Sequence, residues 1–163
     1  MMDKVKLGIS SCLLGDNVRY DGGHKLDHYL KDTLDKFVEW VGVCPEVECG
    51  LGVPREAMHL VGAPESSRLV TRNSNIDHTE KMLSWTEGRL KQFEKEGLCG
   101  FVFKNNSPSC GLNSVFSKKG MGIFAKEFSS YFKLMPVEDE DRLRDDRIRE
   151  SFIKNIYIFK KTH

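Results

Sequence analysis

The stretch that decides the fold is "LCGFVFKNNSPSCG", residues 98–111. Its first half is apolar, and Phe101, Val102 and Phe103 read as a buried strand. Its second half cannot continue that strand: Lys104, Asn105, Asn106, Ser107, Pro108 and Ser109 are polar turn formers around a proline. Cys110 and Gly111 close the run. A structural cysteine usually sits in the apolar part, whereas Cys110 is carried out of the core just beyond a strand end.

Working outward, the same arrangement recurs twice. Cys12 follows "VKLGIS" (5–10), a plausible buried strand, and Cys44 follows "EWVGV" (39–43), a second short strand. Between them, Leu26, Leu30, Leu34 and Phe37 fall on one face of a helix beginning near His24. "RLVTR" (68–72) alternates like a strand, while the glycine and proline clusters of residues 50–67 read as loop. Asp77, with Glu80 at the reciprocal position, marks the start of a helix through Met82, Leu83, Leu90 and Phe93, stopped at Gly97. "GMGIFAKEFSSYF" leads into another helix, and from about Asp141 a charged helix aligns Ile148, Phe152, Ile156 and Phe159. Strands alternating with helices predict an α/β fold: a single-domain, three-layer, Rossmann-like sandwich with a mainly parallel sheet. It would span residues 1–163, with residues 134–163 as a charged C-terminal helical extension. In a parallel sheet the carboxyl ends share one edge, where ligands bind. Three of the five cysteines fall at that edge.

Composition narrows the function. The chain has 163 residues, 39% hydrophobic and 30% charged, with a formal net charge of +1, which gives no electrostatic case for a nucleic-acid coat. No apolar run reaches membrane-spanning length, and the start reads as a first strand rather than a signal peptide, so a cytoplasmic protein without a membrane partner is expected. Five cysteines in a reducing compartment do not suggest a disulfide framework. Soft thiolates suit iron–sulfur clusters, zinc or copper. Three of them would hold three corners of a [4Fe–4S] cluster and leave one iron open, and three unconnected core thiols are the plain alternative. Cys99 lies in an apolar run and reads as core. Cys49 reads as a loop thiol, a fourth ligand or a persulfide relay.

Four motifs occur in order: "SSCLLGDNVRYDGGHK" (10–25), "VCPEVECGLGVPRE" (43–56), "NSPSCG" (106–111) and "GMGIFA" (120–125). Together they resemble the thiouracil desulfidase family over most of residues 4–132. The tail "LMPVEDEDRLRDDRIRESFIKNIY" (134–157) resembles longer relatives, in which this domain is joined to a second one and acts on thiolated uridine in tRNA; no second domain is expected after His163. The resemblance implies a [4Fe–4S] cluster held by Cys12, Cys44 and Cys110, with one iron not ligated by protein. It also implies catalytic roles for Glu46 and Ser107.

The residues themselves allow these roles without requiring them. Glu46, two positions past Cys44, is placed to exchange a proton beside a cluster, or is a solvated loop acid. Ser107 is a substrate contact or a turn former beside Pro108. Arg19 in "RYDGG" and Arg55 in "GVPRE" are candidate substrate-binding cations, or ordinary surface arginines. The expected reaction removes sulfur from a thiolated pyrimidine, of thiouracil or thiouridine type, giving the oxo base and sulfide. The substrate would be a small base or nucleoside, with tRNA left open by the tail. The rival readings are a cluster-dependent sulfur carrier and a non-catalytic zinc or thiol module.

Overall fold

The computed structural model describes residues 3–112 and 121–163; Gly120, the first residue of "GMGIFA", lies outside them. Four parallel strands form the central sheet: β1 (Val5–Ser10), β2 (Val38–Val43), β5 (Phe101–Phe103) and β6 (Val137–Asp139), in the order β2-β1-β5-β6. β1 pairs with β2 from Val5↔Val38 to Ser10↔Val43, and with β5 through Gly8↔Phe101. The chain moves outward one way from β1 to β2 and the other way from β5 to β6. The carboxyl ends of β1 and β5 therefore flank a topological switch point, the usual place for a ligand crevice in an open α/β sheet.

Strand periodicity sends alternate residues to two separate cores. Phe101 and Phe103 face helices α3 (Thr79–Glu96) and α4 (Ile123–Tyr131), where Phe93, Phe124 and Phe128 meet them largely edge-to-face. Val5, Leu7, Ile9 and Val102 face helices α1 (His28–Leu34) and α5 (Asp146–Thr162) on the other side. Gly8 makes this possible, since a Cβ there would stand 2.3 Å from Phe101 Cδ2. The mixed α/β sandwich expected from the sequence is thus the fold observed.

Local differences have local causes. The first helix begins at His28 rather than His24, because Asp27 caps it: its Oδ1 accepts from the Leu30 amide at 2.9 Å. Residues 50–67 are not all loop. β3 (Met58–Val61) pairs antiparallel with β4 (Arg68–Thr71) as a hairpin outside the main sheet. "MHLV" carries a histidine and lacks the clean alternation of "RLVTR", so it reads as a strand only once its partner is known. Asp77 stands one residue before the cap position of α3, accepting from the Thr79 amide, while Glu80 pairs with Arg68 instead of closing a capping box. The charged helix starts at Asp146, capped by Asp145, and the preceding residues supply β6. Gly97, at φ 75°, ends α3 as expected.

Candidate functional site

A cleft of about 470 Å³ opens at the carboxyl edge of the sheet. Cys12, Cys44, Cys110, Glu46, Ser107, Arg19 and Arg55 all line it. Cys49 and Cys99 do not. The Cys49 thiol donates to the Glu46 carbonyl (3.4 Å) and packs against the first core, and Cys99 is buried in the second. The "DGG" turn closes on itself, with Asp21 Oδ1 accepting from the Gly23 amide, and its glycines do not reach the cleft wall.

Each cysteine arrives by its own route. Cys12 lies in a turn of 3-10 helix (Ser11–Leu14) directly after β1. Cys44 is the cap residue of a short helix, α2 (Pro45–Glu48), directly after β2; its amide donates to Glu48 Oε2 at 3.0 Å. Cys110 lies on the loop after β5, and that loop is held at every step. Lys104 N donates to Ser10 Oγ (2.9 Å), and Asn105 N donates to Glu140 Oε1 (2.7 Å). Asn106 takes the left-handed conformation (φ 59°) that asparagine tolerates. Ser107 Oγ then accepts from the amides of Ser109 (3.2 Å) and Cys110 (3.0 Å). The first turn of α4 closes the loop from above: Ile123 N donates to Pro108 O and Ala125 N to Ser109 O, both at 3.0 Å. A Cβ on Gly122 would stand 2.4 Å from the Ser109 carbonyl carbon, which explains the second glycine of "GMGIFA".

The three thiols share one electrostatic situation. Burial pushes the Cys12 thiol up to about 11, against the nearby Lys104 cation. Burial also raises Cys44, and raises the fully enclosed Cys110 further. Without a compensating positive charge these groups hold their protons at neutral pH. Among the described residues no three His, Cys, Asp or Glu side chains converge closely enough for a single metal ion.

The acid of the site is held from two sides. Glu46 Oε2 lies 3.5 Å from Arg55 Nη2 and accepts from Ser109 Oγ at 3.3 Å. Ser107 Oγ lies 3.1 Å from Ser109 Oγ. With two amides already donating to Ser107, its one proton goes to Ser109, and the Ser109 proton goes to the carboxylate. Opposite, Lys104 Nζ pairs with Glu140 Oε2 at 3.0 Å, and burial raises the carboxyl of Glu140. Sequence reasoning missed Ser109, Lys104 and Glu140. Ser109 is one of two serines in "SPSC", and nothing local singles it out. Lys104 was the first charge after a buried strand. Glu140 had no signal, because the strand it follows was not read.

The chain is 31% identical over 130 residues to the uncharacterized protein YbbK of Bacillus subtilis (strain 168), covering 72% of this chain and 85% of that one. Its structure resembles that of a [4Fe–4S]-dependent thiouracil desulfidase, TudS, with a TM-score of 0.70 and 30% identity, covering 91% of this chain and 99% of that one. The sequence pattern of the 2-thiouracil desulfurase family matches residues 7–140, most of its length, and the chain belongs to that family.

Proposed function

We propose that this protein is a [4Fe–4S]-dependent desulfidase that converts a thiolated pyrimidine and water into the oxo base and sulfide. The observation that carries the reading is that three thiols from three separate loops line one cleft beside a held carboxylate. The donor set fits such a group. Three soft ligands line one cleft with no pairing among them, and cysteine thiolates are the donors that hold iron–sulfur clusters.

Cys12, Cys44 and Cys110 would hold the cluster. When bound, it supplies an iron without a protein ligand, a soft Lewis acid matched to a thiocarbonyl sulfur. The chain's own residues handle the rest. Glu46 takes a proton from the water whose oxygen bonds to the ring carbon, and returns it as the carbon–sulfur bond breaks. Ser107 contributes through Ser109, which it orients and which in turn reaches Glu46. Arg19, half-buried at the cleft and stacked on Tyr20, offers a cation to a substrate carbonyl or phosphate. No net electron transfer is required: a thiocarbonyl and water become a carbonyl and hydrogen sulfide.

A cleft of about 470 Å³ that also takes the cluster suits a small ligand such as a free base or nucleoside. The near-zero net charge supports the same choice over folded tRNA, whose binding needs a basic face and falls steeply with salt. The test is anaerobic reconstitution followed by iron and sulfide counts and product analysis. Wild-type protein should turn thiouracil into uracil and sulfide with no added reductant. Cys12→Ala, Cys44→Ala and Cys110→Ala should each fail to retain the cluster, while Cys99→Ala retains it. Glu46→Gln should keep its iron and lose about 2–4 kcal/mol of transition-state stabilisation. Full turnover by Glu46→Gln, or cluster retention by the three cysteine variants, would overturn the reading.

A further inference from the structure

We infer that Arg55 and Ser109 are positioning residues that fix Glu46 Oε2, leaving Oε1 as the one atom that exchanges a proton with water and substrate. This rests on the proposed role of Glu46 and goes beyond it, since it assigns the reacting oxygen and gives Arg55 a task other than substrate contact.

Arg55 is poorly placed to bind a ligand directly. Only 7% of its side chain is exposed. Nη1 donates to the Gly52 carbonyl at 2.8 Å and Nη2 to the Val18 carbonyl at 2.9 Å, and the remaining reach of Nη2 is toward Glu46 Oε2. Its backbone amide donates to the Tyr20 carbonyl at 2.8 Å. The guanidinium thus joins the loop after Cys12 to the loop before β3, with Nη2 3.5 Å from the acid. Its Nε is buried without a partner among the described residues. A buried orphan donor carries a desolvation cost, and here that cost accompanies two amino groups held on carbonyls, one of them also paired with the carboxylate.

Ser109 approaches from the Cys110 loop. It is 1% exposed and donates to the same Oε2. A carboxylate anchored through one oxygen by an ion pair and a hydroxyl keeps its plane fixed. Glu46 Oε1 has no hydrogen-bond partner among the described residues, so one oxygen is tethered and the other is left for the reaction. One water proton passes to Oε1 as the water oxygen bonds to carbon and leaves with the departing sulfur; the other leaves the new oxygen as the carbonyl forms, so that carbonyl and hydrogen sulfide account for both. Displacing a reacting group by about 1 Å can cost roughly a hundredfold in rate, so the tether has kinetic consequences without touching substrate.

The experiment is a set of double-mutant cycles on anaerobically reconstituted protein. Arg55→Met, Arg55→Lys and Ser109→Ala are each made alone and with Glu46→Gln. Iron content, kcat and KM for thiouracil, and the Kd of the product uracil by calorimetry are measured. The expected result for Arg55→Met and Ser109→Ala is full iron, a kcat lower by roughly tenfold to a hundredfold, and KM and uracil Kd within about twofold of wild type. Arg55→Lys should recover part of the kcat. With Glu46→Gln already present, neither substitution should cost more. A raised KM and uracil Kd at unchanged kcat would make Arg55 a substrate contact and overturn the inference. Losses that add to that of Glu46→Gln would also overturn it, while leaving Glu46 itself in place. If Arg55→Met loses iron, Ser109→Ala decides the matter, and a wild-type kcat in that variant overturns the inference. A wild-type kcat in Glu46→Gln alone removes the underlying function reading, which is a separate outcome.

Discussion

The turn that carries Cys44 and the loop that carries Cys110 reach the same cleft by opposite means. Cys44 needs almost nothing beyond its strand: β2 ends at Val43, and the next residue is already the cap of a helix that begins with a proline. Cys110 lies seven residues past Phe103 and depends on Ser10, Glu140, Ser107 and the first turn of α4. The first position is set by a strand end and would tolerate neighbours changing. The second is set by hydrogen bonds from elements distant in sequence, and fails when any of them moves. The difference also shows in burial, since Cys110 is 3% exposed while Cys44 is half-buried.

Removing the Glu140 carboxylate should break the comparison hardest. Glu140→Ala leaves the Lys104 ammonium without its carboxylate, with only the Asn105 carbonyl to accept from it, and the Asn105 amide without its acceptor. Deleting one member of a buried pair costs several kcal/mol; with Lys104 about a fifth exposed, a loss of about 3 kcal/mol is expected. The denaturant midpoint measures it, and Glu140→Gln should recover part by keeping the acceptor. A wild-type midpoint in Glu140→Ala would show that the Cys110 loop stands without this anchor.

Gly122→Ala should follow. Its Cβ would meet the Ser109 carbonyl at 2.4–2.5 Å, forcing α4 and the loop apart at a cost of about 1–3 kcal/mol. Because the displaced segment carries Cys110, iron retention after reconstitution should fall as well. A variant with reduced stability and full iron would mean that the loop absorbs the shift without moving the thiol.

On the Cys44 side the matching change is mild. Glu48→Ala removes an acceptor of the Cys44 amide and an ion pair with Arg89, both at a partly exposed position. About 0.5–1 kcal/mol is expected, with no change in iron content. A loss as large as that of Glu140→Ala would erase the contrast between the two segments.

The smallest effect lies outside both loops. Asp77 accepts from Thr79 and pairs with Arg68, which holds its carboxyl at about 2 against 3.8 unperturbed. A carboxyl depressed in the folded state stabilises above the unfolded value and loses that contribution as pH falls through the folded one. The stability difference between wild type and Asp77→Asn should therefore be constant above about pH 4 and shrink between about pH 4 and pH 2. A difference that persists at pH 2 would assign it to something other than the charge.

Much of this molecule was decided locally. Short apolar runs ending in polar or glycine-rich turns located β1, β2, β4 and β5, and a helical spacing of apolar residues located α3, because burial on one face imposes its period on the sequence wherever an element is long or strongly amphipathic. The same local logic put Cys12, Cys44 and Cys110 beyond strand ends, and the parallel order of the sheet then followed from alternating element types. Other features had no local signature. β3 ("MHLV") and β6 ("VED") show neither clean alternation nor an unbroken apolar run, and they are strands only because β4 and β5 supply their hydrogen bonds. Ser107 and Ser109 are equivalent in sequence, and only the approach of α2 made Ser109 the neighbour of Glu46. Glu140 meets the Asn105 amide from 35 residues away along the chain, and Arg55 reaches Glu46 while held on carbonyls at Val18 and Gly52. Such pairings are set by which side chains remain buried and unsatisfied once the sheet has closed, a quantity that exists only in the folded chain.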